Sequence, residues 1–561
     1  MNDERLSRRR LLKLAAGSMF ALAVAPVLIG CTDDDDDDPP AASGNGESST
    51  GGGTTAAATA TRTATATATD AAAATATPTA TAAAAAPAPA SGGRVRVANG
   101  GSATATFNPF NASGSADYAG FYHVFDSLAR LGGSEVLLGV AESIESNVDG
   151  TVWTIVLHDA TFHDGRPLTS ADVAYTLRTY TDPEVAPVIS GGFSMVDAAN
   201  ISTPDARTVV VPLTIPRGDF LDAELAISSF VLPEGSIGGP GAIGSGPFKL
   251  VAYEASSSIR MVRNPDYWNT PPLLDELEIV VVNDPTARLN ALKGGEVEFA
   301  RGITPAAARA EDGNDDIVLH RGGAANSQAM GFAANITIPP FDNPDAVRAL
   351  KLAVDRQSLV DTVLLGFGEV GNDLVGKALP GYADAIPQTE RDVRQARALF
   401  ERAGVTELTM LTGETTAGTV AAAELLVQQL AEAGVSLTLD ELPADQYYAD
   451  FARLFSTPLQ SCWWVNRPAD VHLSSFTGSS AGFNLTGLRG TEYDALLASA
   501  RVSVNRDERL AIVQQLQQYA FDHDGMVIWG YREDLNASVP GLTGVSFTQS
   551  SPRFHRASLE A

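Results

Sequence analysis

Gly239-Pro240-Gly241-Ala242-Ile243-Gly244 has the glycine spacing of a dinucleotide-binding loop. That chemistry needs a helix directly after the loop, because the helix N-terminus holds the pyrophosphate. Here Ser245-Gly246-Pro247-Phe248 leads into a strand-like stretch, so no such site is expected. The seven histidines are His123, His158, His163, His320, His472, His523 and His555. His158 and His163 lie five apart across a turn at Asp159-Ala160, and one pair does not make a metal centre; a locally hydrogen-bonded turn histidine is expected. Two cysteines, Cys31 and Cys462, exclude a disulfide framework and a four-cysteine metal site. Cys462, between Ser461 and Trp463, reads as a small buried residue rather than a nucleophile. The sequence has no Walker A and no H-E-x-x-H motif. No cofactor, no metal and no catalytic residue is expected.

The 561 residues include 67 acids and 38 bases, for a net charge of −29. At roughly 150 residues per domain this length allows three or four domains. Ten of the acids and six of the bases precede Arg94, so the remainder keeps 57 acids and 32 bases. Acidity is therefore a property of the folded body. It excludes a nucleic-acid binder, which needs a basic face, and disfavours anionic surfaces as partners.

The first 31 residues carry a basic region and then an apolar stretch from Leu14 to Ile29, the layout of an export signal. Ser7-Arg8-Arg9-Arg10-Leu11-Leu12-Lys13 resembles a twin-arginine signal, and Leu28-Ile29-Gly30-Cys31 resembles a lipobox, which implies lipidation of Cys31. An uncleaved membrane anchor is the alternative, but sixteen residues are short for a span of about 20. Residues 32–93 hold six consecutive aspartates and then Ala, Thr, Gly and Pro. So few large apolar side chains cannot offset ordering entropy, and a disordered tether is expected.

Elements that could position a site begin at Arg94. Arg94-Val95-Arg96-Val97 alternates in the manner of a sheet edge. Strands are expected at 151–157, 208–213 and 526–531, and a buried one at 277–282. Thr169-Ser170-Ala171-Asp172 forms a capping box, Asn343-Pro344 opens a helix, Asn505 with Glu508 caps another, and Gly434 ends the helix of 421–433.

Four stretches together resemble the peptide/nickel-type solute-binding proteins, family 5, of ABC importers. They are Trp153 to Val173, with Phe162-His163-Asp164-Gly165; Gly244 to Phe248 followed by Arg263-Asn264-Pro265-Asp266-Tyr267-Trp268; Pro340-Phe341-Asp342 with Val347 to Leu350 and Asp355-Arg356; and Tyr493 to Leu497 with Arg506 to Arg509. The signature residues themselves read as scaffold. The resemblance implies an α/β, two-lobed periplasmic-binding-protein-like fold of type II, with an inserted subdomain in lobe one. Lobe one would take 94–302, lobe two 303–523, and 524–561 would return to lobe one. Such a protein closes on a small solute or peptide, works as a monomer, and docks on permease and ATPase subunits.

Site residues also follow from the resemblance. Asn108 and Phe110 lie on the first loop, ahead of Tyr118 and Tyr122. Trp463 and Trp464 are adjacent in a strand, so one lines the cleft and one is core. Asp470 is nearest the family's acceptor for a peptide α-ammonium, but the family's Asp-Pro pair is replaced by Arg467-Pro468 and Ala469-Asp470. Arg467 can instead hold a carboxylate. Asn484 would add a polar contact. The competing readings are a metal-chelate or oligosaccharide binder of the same family, a surface hydrolase, and an adhesin on a Thr-rich stalk.

Overall fold

The computed structural model describes residues 91–101, 105–111, 115–133, 135–185, 190–548 and 550–560. The expected export signal, the lipobox at Cys31 and the tether up to Ala90 lie outside the described residues. Among those described, no helix is long and apolar enough to cross a membrane.

Two large sheets carry the fold. The first has seven strands, in the spatial order Val318–Arg321, Leu535–Ser538, Phe299–Arg301, Arg94–Asn99, Glu276–Val281, Ser258–Arg263 and Phe248–Glu254. Arg94–Asn99 is central, not the expected edge: it pairs in parallel with Glu276–Val281 on one side and Phe299–Arg301 on the other. Its polar alternation is neutralised from neighbouring strands and loops. Arg94 meets Glu276 and Glu278, and Arg96 meets Glu298 at 2.6 Å. The strand expected at 277–282 is likewise buried on one face only, through Leu277 and Ile279.

The second sheet has six strands: Gly368–Val370, Met526–Glu533, Ser327–Ala334, Leu459–Val465, Glu407–Thr412 and Ser436–Glu441. Apolar clusters cover both of its faces. The insertion in lobe one contains a three-stranded sheet, Ala141–Ser146, Val152–Leu157 and Thr208–Pro212. Trp153, Ile155 and Leu157 face its core on every second residue, as a half-buried strand requires.

The helix caps form as the sequence indicates. Asp172 accepts the Thr169 N–H at 2.8 Å ahead of Ser170–Tyr180. Asn343 accepts from Asp345 N at 3.0 Å, and Asn505 accepts from the N–H groups of Asp507 and Glu508. Gly434 follows the helix Thr419–Glu432 at φ +83°, the left-handed turn that glycine adopts without strain.

The strand pairings move the expected lobe boundaries. Val318–Arg321 belongs to the first sheet, because it pairs with Leu535–Ser538. Met526–Glu533 belongs to the second sheet, because it pairs with Ser327–Ala334. The chain therefore crosses between lobes at 322–326 and again at Asp534, not at 302–303 and 523–524.

Candidate functional site

Both crossings lie at one end of each sheet. In the first sheet the parallel strands Arg94–Asn99 and Phe299–Arg301 end there. In the second, the parallel strands Glu407–Thr412 and Leu459–Val465 end on that side, where Val465 pairs with Gln328 and Gln328 with Arg532. Carboxyl ends of parallel strands are where α/β sheets receive ligands, since loops open there and no helix covers them. The crossings are tied together. Asp534 N donates to Asn326 O at 3.0 Å, Asn466 N to Ser327 O at 3.0 Å, Asn466 Nδ2 to Ala324 O at 2.7 Å, and Ser550 N to Asn326 Oδ1 at 2.9 Å.

Polar side chains from both lobes collect at this junction. On the lobe-one side Arg301 donates to Ser115 Oγ at 2.7 Å and to Ser550 O at 2.8 Å, and Ser115 in turn donates to Asn99 Oδ1. Arg553 lies 3.7 Å over the Tyr122 ring and donates to Tyr122 O at 2.8 Å. On the lobe-two side Arg532 donates to Gln328 Oε1 and to Thr416 Oγ1, while Trp463 Nε1 donates to Thr415 Oγ1 at 3.1 Å. Burial lowers the pKa of Arg301 and Arg532, and lowers that of Arg553 to about 10. None of these three arginines has a carboxylate within ion-pair distance among the described residues.

Residues 135–483 match the bacterial extracellular solute-binding proteins, family 5 (Middle). The chain belongs to this family. It is 25% identical over 504 residues to di/tripeptide-binding protein 2 of Pseudomonas aeruginosa, covering 82% of this chain and 94% of the relative. It is also 25% identical over 472 residues to the glutathione-binding protein GsiB of Pectobacterium atrosepticum, covering 79% and 90%. The periplasmic binding protein DppA of Helicobacter pylori, solved with the peptide STSA, superposes with a TM-score of 0.68 at 20% identity, covering 84% of this chain and 99% of that one. The two-lobed α/β fold is that of family 5.

This family 5 protein places its sequence-nominated residues unevenly. Phe110 is 1% exposed and meets Tyr180 edge-on at 4.9 Å, so it is core. Asn108 accepts from Phe110 N at 2.9 Å and serves the turn before Pro109–Asn111. Asn484 uses both ends of its amide at home: Nδ2 donates to Gly478 O and Leu488 O, and Oδ1 accepts from Gly487 N. Trp464 is 7% exposed, 4.3 Å from the Phe476 ring and 5.7 Å from Phe483, and is core. Trp463 is half-buried beside the Thr415 hydroxyl. Tyr118 is half-buried against Phe121 and Tyr122. Tyr122 sits under Arg553 at the lobe junction.

Arg467 is the nominated residue with the most unused hydrogen-bonding capacity. Its guanidinium lies 5.4 Å from the Phe476 ring, and no hydrogen bond or ion pair engages it among the described residues. Burial alone lowers its pKa to about 10. Its charge also helps hold the buried His472 neutral. Asp470 is engaged elsewhere. Its carboxylate accepts from Val471 N at 2.9 Å and approaches Arg509 at 4.0 Å; burial and the neighbouring Asp219 and Asp222 raise its pKa to about 6. Sequence reasoning missed Arg301, Arg532 and Arg553. The available signal was an arginine closing an apolar strand, as in Phe299–Arg301 and Met526–Glu533.

A second contact joins the lobes away from the crossings. Arg509, with a side chain 2% exposed, donates to Gly218 O at 3.0 Å and Ser503 O at 2.8 Å and pairs with Asp222 at 2.5 Å. Gly218 N donates to Arg501 O at 2.8 Å. A Cβ on residue 218 would stand 2.1 Å from Ser503 O, so only glycine permits this approach. On the lobe-one side Arg217 pairs with Asp219 at 2.5 Å and with Glu224 at 3.1 Å. Burial raises the Glu224 pKa to about 7 against the pull of Arg217.

The other reactive-looking residues are structural. His163 is held by Gly244 N and Gly246 O, and His158 stacks on Trp268 at 5.0 Å. The Cys462 thiol is buried 3.6 Å from Met526 Sδ, and burial raises its pKa. The glycine-rich run packs against backbone: a Cβ on Gly244 would lie 1.8 Å from Val124 O. Among the described residues no three His, Cys, Asp or Glu side chains gather as a metal site.

Proposed function

We propose that this protein is an exported solute receptor that captures a peptide or peptide-like compound between its lobes and hands it to the permease and ATPase subunits of an ABC importer, catalysing no reaction itself. The observation that carries the reading is the convergence of strand ends from both sheets, with polar side chains from both lobes, at the two chain crossings. Hinge closure about such crossings buries a solute between the lobes. The di/tripeptide and glutathione specificities of the two relatives favour a peptide-like solute. Trp463, Tyr122 and Arg467 are the side chains nominated to meet it.

Lipidation at Cys31 would hold the receptor to the membrane, with residues 32–93 as its tether. Titration calorimetry against di- and tripeptides, glutathione, nickel–histidine chelate and oligosaccharides tests the reading. One saturable 1:1 peptide-like ligand, recovered unchanged, supports it. Turnover of a peptide or ester contradicts it. Cys31→Ser should release the folded protein from membranes.

A further inference from the structure

We infer that the solute is anionic, with at least two carboxylate or equivalent acidic groups, and that Arg467, Arg532 and Arg553 bind these groups while Arg301 adds to the field. The inference rests on the solute-receptor reading and names the chemistry of its ligand. It starts from an imbalance of charge. From Arg94 onward, acids outnumber bases by 57 to 32, so carboxylates are abundant. Elsewhere in the body three buried arginines meet them: Arg356 with both oxygens of Asp373 at 2.8 Å, Arg217 with Asp219, and Arg509 with Asp222. Arg288 and Arg501 bond to carbonyls instead.

At the lobe junction they do not. Arg301, Arg532 and Arg553 are held by hydroxyls, amides and carbonyls, which are neutral acceptors. The Nε atoms of Arg532 and Arg553 are buried and donate to nothing among the described residues, and the same holds for Arg356 and Arg509. The difference between the two groups therefore lies in the terminal nitrogens, which meet carboxylates only in Arg356 and Arg509. The carboxylates that act on the junction arginines do so from beyond ion-pair distance: Asp534 on Arg301 and Arg532, Glu414 on Arg532, and Asp126 on Arg553. Burial raises the pKa of Asp534 and Asp126. Tyr122 feels both Arg553 and Arg301, and Asp534 feels both Arg301 and Arg532, so these three charges share one neighbourhood. Arg467 emerges two residues beyond Val465, which pairs with Gln328, the residue that Arg532 contacts. A guanidinium stays charged at neutral pH even when buried, and a counter-charge offsets its desolvation more fully than neutral acceptors do. Carboxylates and phosphates match its planar fork. The alternative pole, an acid reserved for an α-ammonium, is weakened because Asp470 is drawn toward Arg509 and the acids Asp219 and Asp222.

The test uses the full chain. Thermal unfolding is followed in low-millimolar citrate against chloride at matched ionic strength, for wild type and for Arg467→Gln, Arg532→Gln and Arg553→Gln, with Arg532→Lys as a variant that keeps the charge. Citrate should raise the wild-type midpoint by several degrees. Each glutamine variant should lose most of that rise without falling below the wild-type midpoint in chloride, and Arg532→Lys should keep part of it. Calorimetry with N-acetyl-Ala-Glu, Ala-Ala and Ala-Ala-amide supplies a second readout, with the diacid expected to bind at least about tenfold tighter than the amide. No citrate effect, or variants that unfold early in chloride, would mean that the arginines are framework, and the inference falls. Equal binding of Ala-Ala-amide would keep the receptor reading and overturn the anionic class. A citrate shift with no peptide bound would keep the anionic class and overturn the peptide reading.

Discussion

Two arginine clusters lie where the lobes meet, and they are built on different terms. At the contact of 217–224 with 501–509, Arg217 meets Asp219 and Glu224, and Arg509 meets Asp222. At the crossings, Arg301, Arg532 and Arg553 meet only neutral acceptors among the described residues. A paired buried arginine fixes chain to chain, since removing one partner strands the other charge. An arginine held only by neutral acceptors has the most to gain from an acidic ligand. On the proposed reading, the contrast separates the latch between the lobes from the surface offered to the solute.

The largest expected effect is at the latch. Arg509→Ala leaves Asp222 without its buried partner and should cost about 3–5 kcal/mol in urea unfolding. A cost near zero would erase the difference between the clusters. Next is Gly218→Ala, whose methyl would overlap Ser503 O. Forcing in one carbon should cost about 1–3 kcal/mol and widen the ligand-free molecule in small-angle scattering. An unchanged radius of gyration would show that the loop yields without parting the lobes.

Acidity provides a third lever, read per pH unit as a slope. Glu224 and Asp470 have raised folded pKa values, about 7 and about 6, above their unfolded values of about 4.3 and 3.9. The folded state therefore binds more protons than the unfolded state in that window. Their contribution is fully present below about pH 4 and is lost as the pH rises through 6 to 7. The slope should be up to about 1.4 kcal/mol per pH unit for each proton. Glu224→Gln should flatten the upper part of this profile, and an unchanged slope would remove Glu224 from the latch. Smallest is Arg506→Ala. Arg506 stands 3.5 Å from Asp222 with its side chain 41% exposed, and solvent screening should hold the loss below about 1 kcal/mol.

Much of the framework was legible because local rules decide it. Caps at Thr169, Asn343 and Asn505 depend on one side chain reaching an N–H two or three residues away, so the sequence suffices. The alternation that puts Trp463 and Trp464 on opposite faces is equally local. The position of Arg94–Asn99 was not legible, because its neutralising glutamates arrive from 276, 278 and 298. Lobe boundaries were misplaced for the same reason: Val318–Arg321 and Met526–Glu533 are assigned by partners more than 190 residues away. In the site, Phe110 and Asn484 bear side chains that look able to touch a ligand, yet neighbouring rings and carbonyls occupy them. The arginines at the crossings were overlooked because what distinguishes them is a missing carboxylate, which only the folded chain reveals.

Capture by closure is tested most directly by small-angle scattering of the Gly218→Ala and wild-type proteins, with and without the solute found by calorimetry. The variant should be wider than the wild type when empty, and both should contract at saturation, the variant to a larger radius of gyration than the wild type because the added methyl still opposes Ser503 O. A bound protein whose radius of gyration matches that of its empty form, in both proteins, would contradict a receptor that works by shutting its lobes.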